Sequence, residues 1–245
     1  MGRLISFTPC SREALRETVP AMPSPRSQSD ESLAAYYARR APEFEAVYAL
    51  PERQDDLQKL RDLLRGLVAG RALLEVACGT GYWTQVMAET ARSITATDIN
   101  PAVIELARAK AYRGGPVTLR LADAWRSGEV QGRFTGGAAL FWWSHLVRSR
   151  TRAFLEQFQR VLLPGALVVL ADNLPVPGRH TPIARTDDEG NTYQLRRLRS
   201  GERFEVIKNY PSEAELRAAV KGLGEEVHYT ALTYYWACWY RTTPA

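Results

Sequence analysis

Three acids and one glycine loop stand where a small ligand could be held. Glu75-Val76-Ala77-Cys78-Gly79-Thr80-Gly81 carries two glycines one residue apart, a spacing that lets backbone turn tightly and come close to a bound molecule. Asp98 follows Gly81 by 17 residues and closes the next apolar run, a place from which one carboxylate can accept from both hydroxyls of a ribose. Asp123, in Ala122-Asp123-Ala124, opens the loop after the following run. The third glycine of a dinucleotide-binding fingerprint would fall at position 84, which is Thr84, so nicotinamide chemistry is disfavoured. Cys78 fills a small-residue slot with no histidine beside it in sequence. It reads as a buried thiol, not a nucleophile.

These residues need strands to present them. Short apolar runs at 72–77, 93–97, 117–122, 138–143 and 167–171 alternate with helical patterns at 83–91, 101–112 and 150–163. That rhythm predicts parallel βαβ units and a doubly wound α/β sheet. Proline near the start of the second helical stretch, at Pro101, suits a first turn. After the fifth strand the rhythm breaks. Residues 173–191 are loop-like, then 192–198 and 202–208 flank Arg199-Ser200-Gly201, a three-residue turn with glycine third and hence a hairpin. A helix at 212–221 and two more strands, 226–232 and 235–241, complete seven strands. Upstream, residues 30–70 read as helices interrupted at Pro42, and the aromatic density of residues 36–48 suggests a lid that orders on ligand binding. Residues 1–29, with Pro9, Pro20, Pro23 and Pro25, have the composition of a flexible tail. The expected organisation is a tail, one domain over 30–245 with helices at 30–70, and a hairpin insert at 174–211.

A strand-one acid, a G-x-G loop and a strand-two acid together resemble the class I S-adenosylmethionine-dependent methyltransferases, over roughly residues 36–241. The resemblance implies a Rossmann-like, mostly parallel seven-stranded sheet, an enzyme, and S-adenosyl-L-methionine as cofactor. By position, Gly79 and Gly81 would lie against the methionine and ribose portion, with Glu75 helping to orient the amino group. Asp98 would hold the ribose hydroxyls, with Ile99 beside the adenine. Asp123 and Ala124 would meet the adenine amino group, Trp125 would stack nearby, and Tyr36 would cover the cofactor.

The acceptor end is less sharply marked. Strand four is expected to run into Phe141-Trp142-Trp143-Ser144-His145, with alternation sending one tryptophan to the core and the other to the pocket wall. His145 is either a general base for a phenol or alcohol or a histidine hydrogen-bonded at a strand end. The segment lacks the acid or asparagine with two prolines that amino-methylating relatives often carry, which argues against a nucleic-acid partner. Pairing across 199–201 sets Leu198 opposite Glu202, Arg196 opposite Phe204 and Thr192 opposite Lys208. Gln194, Arg196, Leu198, Phe204, Val206 and Lys208 then share one covered face. Two cations on a covered face need an anion, native or a ligand's. The stretches 190–194 and 208–211, with Tyr36-Tyr37 upstream, are similar to bacterial natural-product O-methyltransferases of the phosphonate type. That resemblance implies an acidic small-molecule substrate held by Tyr37 (or Tyr36), Arg196 (or Arg197) and Lys208. An ionised oxygen needs no base; a phenol, alcohol or amine acceptor using His145 is the alternative, and an RNA or protein methyltransferase a more distant one.

Composition agrees with such an enzyme. The chain has 245 residues, 45% of them apolar, one large domain's worth in a monomer or homodimer. The longest apolar run, near 165–171, is far short of a membrane span. Three cysteines, Cys10, Cys78 and Cys238, make neither a disulfide framework nor a four-ligand zinc site, and point to a reducing cytoplasm. No signal peptide is read in the first twenty residues. No His/Asp/Glu cluster has metal-ligand spacing, so a metal-independent reaction is expected. Net charge is +5, from 32 Lys+Arg against 27 Asp+Glu. The one basic concentration is residues 179–208, with seven basic and five acidic residues, which favours an anionic small molecule over a nucleic-acid groove.

Overall fold

A computed structural model describes residues 28–243; the expected tail over 1–29 and Cys10 lie almost wholly outside them. Five parallel strands form first: β1 (Ala72–Val76), β2 (Ser93–Asp98), β3 (Val117–Leu121), β4 (Phe134–Leu140) and β5 (Leu162–Asn173). The sheet is completed by β9 (Gly224–Ala231) and β10 (Tyr235–Thr242), in the order β3-β2-β1-β4-β5-β10-β9, with β10 antiparallel to both neighbours. All five residues of β1 are buried, as befits a central strand covered on both faces.

Two apolar layers do the covering. On one face α2 (Gln54–Val68) lays down Leu57, Leu60, Leu64 and Val68, all fully buried at helical spacing. α3 (Tyr82–Ala88) and α4 (Pro101–Arg108) join it through Met87 and Ile104. On the other face α5 (Thr151–Gln159) and α6 (Glu213–Val220) bury Phe154, Phe158 and Leu216 against Leu74, Val168 and Trp236. Local chemistry sets the helix starts. Asn100 accepts the Ala102 N–H to cap α4, and Ser212 with Glu215 forms a reciprocal capping box on α6.

The chain before the sheet is α1 (Gln28–Arg40), which tightens into 3₁₀ turns over Ala41–Ala49 and Pro51–Arg53. Pro42 enters the first of these turns near its start, where its missing N–H costs nothing. The insert between β5 and α6 is a small second sheet, β6 (Arg185–Thr186), β7 (Thr192–Arg197) and β8 (Arg203–Ile207), in that order. β7 and β8 pair with Arg196 opposite Phe204, and Lys208 donates its backbone N–H to Thr192. Gln194, Leu198, Val206 and Lys208 are buried, so the even-numbered face is the covered one.

One expected element needs correction. Strand four stops at Leu140 instead of running on through the tryptophans, because Phe141 takes a left-handed backbone (φ +59°) and Trp143–His145 coils into a 3₁₀ turn. A run of aromatics has strand propensity, and here a turn overrides it.

Candidate active site

Residues at or just past the carboxyl ends of β1, β2, β4 and β5, among them Ala77, Asp98, Leu140 and Asn173, line one cleft of about 270 Å³. It is roofed by α1 and the following 3₁₀ turns through Leu33, Tyr37, Arg40, Phe44 and Tyr48. The roof is fastened on both sides. Glu45 meets Thr80 at 2.5 Å and Lys110 at 2.8 Å, while Arg39 pairs with Glu202 and Glu43 with Arg199.

On the β1–β3 side the glycine loop turns under Asp98. Asp98 Oδ2 accepts the Gly79 N–H and Oδ1 the Asn100 N–H, both at 2.9 Å. Burial pushes its carboxyl above the usual carboxylate range, against those backbone donors. Gly79 has φ +55°, and a Cβ added there would meet nothing within 4 Å, so its backbone fronts open cleft. Gly81 serves the scaffold: at φ +79° a Cβ would sit 2.5 Å from the Tyr112 hydroxyl, and it does not line the cleft. Ile99, Asp123, Ala124 and Trp125 do line it. Asp123 also caps the turn that follows, accepting the Trp125 N–H at 2.9 Å, and Arg150 lies 4.0 Å above the Trp125 ring.

Two expected cofactor residues, Glu75 and Tyr36, do not line the cleft. Glu75 lies behind the loop, buried, with Thr84 Oγ1 donating to it at 2.7 Å. Burial raises its carboxyl to about 8, so it stays protonated near neutrality, and Thr84 is what satisfies it. Tyr36 turns away from the cleft into a cluster with Leu33, Leu198 and Val206, its hydroxyl accepting from Arg40. Adjacent helical residues point about 100° apart, so only Tyr37 of the pair can face inward.

A cofactor with a ribose and an adenine suits what the wall offers. The carboxylate of Asp98 holds only backbone donors and keeps acceptor capacity, Gly79 leaves backbone open, and the buried indole N–H groups of Trp125 and Trp142 have no partner among the described residues.

On the β5 side the cations gather. Tyr37, Arg40, His145, Arg196 and Lys208 all line the cleft. Lys208 Nζ donates to Ser144 Oγ at 2.6 Å and to Asp172 Oδ1 at 3.0 Å; both members of the Lys208–Asp172 pair are buried. An ammonium has three protons, so one donor direction remains beyond these contacts. Burial pushes the Asp172 carboxyl up, but Lys208, His145 and the N–H groups of Ser144 and Asn173 together hold it below the usual range. The anion demanded by Lys208 is therefore native. Arg196 is different: its guanidinium donates to Gln194 Oε1 at 2.6 Å, and no carboxylate pairs with it among the described residues. Arg197, the alternative to it in sequence, is exposed and points off the covered face.

His145 does not present a free base. Its Nδ1 is 2.8 Å from the Ile207 carbonyl oxygen and its Nε2 2.7 Å from the Tyr37 hydroxyl. Burial and the Lys208 charge push its imidazolium down to about 3. Of the tryptophans, Trp143 is core and Trp142 lines the cleft, a division made by the turn and not by strand alternation. Sequence reasoning missed Arg40, Arg53, Asp172, Tyr210 and Tyr235. Asp172 was within reach of it: an acid closing a parallel strand is the signal that singled out Asp98.

Comparison with known proteins fits this geometry. Residues 73–165 match the family described as "Methyltransferase domain". The structure of a DhpI–SAM–HEP complex is similar at TM-score 0.72 and 26% identity, covering 89% of this chain and all of that one. A DhpI–SAH complex is similar at TM-score 0.70 and 27% identity, over 88% and 97% of the two chains. Among curated proteins, the malonyl-[acyl-carrier protein] O-methyltransferase of Serratia marcescens is 25% identical over 79% of this chain and 78% of its own. The demethylmenaquinone methyltransferase of Tropheryma whipplei is 30% identical over 44% of each chain, so this chain spans less than half of that relative's length. No helix among the described residues is long and apolar enough to cross a membrane.

Proposed function

With residues 73–165 matching a methyltransferase domain and the fold shared with a cofactor-bound DhpI, we propose that the chain is a class I S-adenosylmethionine-dependent methyltransferase that methylates an oxygen of a small anionic acceptor, a carboxylic or phosphonic acid. The observation that carries this reading is the pair Arg40 and Arg196, which line the cleft with no carboxylate partner among the described residues. Buried or half-buried cations without counter-ions are costly unless a ligand supplies the charge.

S-adenosylmethionine, when bound, supplies an electrophilic methyl on a sulfonium centre. Gly79, Asp98, Asp123 and Trp125 are the residues suited to hold it. Arg196 grips the acceptor's oxyanion by its planar fork, and Lys208, already neutralised by Asp172, adds a directed N–H. Phe141 stacks on Trp83 with ring centroids 5.5 Å apart, Tyr48 stands edge-on to both, and together they exclude water. Positioning and dryness supply most of the acceleration, and an ionised oxygen asks for no proton acceptor. The engagement of His145 by Tyr37 favours this over a phenol or amine acceptor. The malonyl-carrier O-methyltransferase and the DhpI complex are compatible in name with acidic acceptors.

The test is a mass-spectrometric screen of small acids, phenols and amines with the enzyme and S-adenosylmethionine. Acids gaining one methyl, with a KM that rises at least tenfold in Arg196→Gln, is the expected result. Turnover of phenols or amines alone would sink it.

A further inference from the structure

Gln194 is the centre of a hydrogen-bond chain that ends on the cleft. Its side chain is fully buried. Its Oε1 accepts from Arg196 Nη2 at 2.6 Å, and its Nε2 lies 2.5 Å from the Thr181 carbonyl oxygen and 3.1 Å from the Tyr210 hydroxyl oxygen. A guanidinium only donates and a carbonyl only accepts, so the amide fits in this orientation alone. Both amide protons are then given out, one to Thr181 and one to Tyr210. The Tyr210 hydroxyl therefore accepts from Gln194, and its own single proton has no acceptor among the described residues. Tyr210 lines the cleft.

The ring that carries this proton is held in place. Pro211 follows Tyr210 and is buried, which confines the Tyr210 backbone to extended conformations. Asn209, just before it, is buried and donates its backbone N–H to the Ser144 carbonyl at 2.7 Å and its side-chain amide to the Leu146 carbonyl at 2.8 Å. His180 stands edge-on to the Tyr210 ring at 5.9 Å, and Lys208 Nζ lies 5.9 Å from the same ring centroid. Burial raises the phenol, while the Gln194 N–H and the Arg196 charge pull against that rise, so Tyr210 keeps its proton at neutrality. The surroundings are rich in donors. Arg196 and Lys208 cannot accept, and the Asp172 oxygens already take protons from Lys208, Ser144 and Asn173.

Resting on the reading above of an acidic acceptor, we propose that Tyr210 is a further acceptor-binding residue, donating its phenol proton to the oxyanion that Arg196 holds, with Gln194 as the positioning residue that ties the two donors together. Arg196 brings charge and Tyr210 a neutral donor of fixed direction. A carboxylate or phosphonate has two or more oxygens on one atom, so it can meet both donors and keep a lone pair for the methyl. A phenolate would have to take both donors and the methyl on one oxygen.

Calorimetry on the full chain saturated with S-adenosylhomocysteine, with propionate and methylphosphonate as probes, tests this. Tyr210→Phe should weaken both probes about tenfold, while S-adenosylhomocysteine affinity and the unfolding temperature stay near wild type. Placing p-aminophenylalanine in place of Tyr210 returns an N–H donor to the same spot and should recover most of the loss, which a purely structural role for the ring would not predict. For any acid turned over, Tyr210→Phe should raise KM about tenfold with kcat little changed. Probe binding unaltered in Tyr210→Phe, no recovery with p-aminophenylalanine, or a loss of S-adenosylhomocysteine binding instead, overturns the role of Tyr210. The acidic acceptor stands in each of those cases if Arg196→Gln still weakens the acids. If neither acid binds the wild type and Arg196→Gln leaves turnover unchanged, both readings fall together.

Discussion

The Tyr37 hydroxyl lies 2.7 Å from Nε2 of His145, whose other ring nitrogen lies 2.8 Å from the Ile207 carbonyl oxygen. A carbonyl only accepts, so Nδ1 carries the proton and donates to Ile207, and Nε2 must accept from Tyr37. The phenol's single proton is thereby spent inward, and Tyr37 turns oxygen lone pairs toward the cleft. Burial pushes the Tyr37 phenol up and the His145 imidazolium down to about 3. Neither group titrates in the physiological range.

For a carboxylate acceptor, fully ionised in this range, kcat/KM should be flat between about pH 6 and 8. A pH–rate series on the wild type and His145→Asn checks this. A limb near pH 6.5 that the variant abolishes would restore the histidine to the chemistry.

Arg196 and Lys208 should fail in different ways. Arg196→Gln should raise KM about 10- to 150-fold, the worth of one charge-assisted hydrogen bond, with little change in unfolding temperature. Lys208→Met strands Asp172 in the interior and should cost about 3–5 kcal/mol of stability. Adding Asp172→Leu should recover part of that loss without restoring substrate affinity. Denaturant titration beside steady-state kinetics distinguishes the two.

Glu75 and Asp172 pull stability in opposite directions with pH. The Glu75 carboxyl is raised to about 8 by burial, so its contribution is full below the ordinary carboxylate value and is lost as pH rises through 8. The Asp172 carboxyl is held low and the His145 imidazolium near 3, so their contributions are present above their unfolded values and fade as pH falls. Glu75→Gln should flatten the alkaline decline, worth on the order of 4–5 kcal/mol across the window, and leave the acid side unchanged. Thermal unfolding between about pH 4 and 9 reads both limbs, and an unaltered alkaline limb would contradict the assignment.

Asp98→Ala should weaken S-adenosylhomocysteine binding by about 1–3 kcal/mol, since ribose hydroxyls and the Gly79 N–H both lose an acceptor. Calorimetry measures it. Asp98→Asn should lose less at the loop, because an amide oxygen can still accept one N–H.

The sheet and the glycine-loop edge of the cleft were legible because short-range rules decide them. Strand-sized apolar runs, the Gly79/Gly81 turn, and acids closing β2 and opening the loop after β3 are local signals. The hairpin register was legible too, since a three-residue turn dictates which residues face each other. What escaped depends on partners distant in sequence. Nothing near Lys208 announces Asp172, 36 residues away, and nothing near His145 announces Tyr37. The turn at Phe141 escaped because residue preference favoured a strand while tertiary packing of Trp143 and Trp142 decided the backbone. Tyr36 and Tyr37 were interchangeable on paper, and only the phase of α1 separates them.

The roof over the cleft is bolted to the hairpin by ion pairs at the surface, Arg39 with Glu202 and Arg199 with Glu43, with the Arg199 side chain 82% exposed. Such pairs are individually worth about 0–1 kcal/mol and weaken in salt, whereas the aromatic contacts beneath, Tyr37 on Phe44 and Tyr36 on Phe204, do not. This segment roofs the cleft, so raised salt should slacken the roof's fastening to the hairpin and speed ligand exchange, while the aromatic contacts beneath keep their hold.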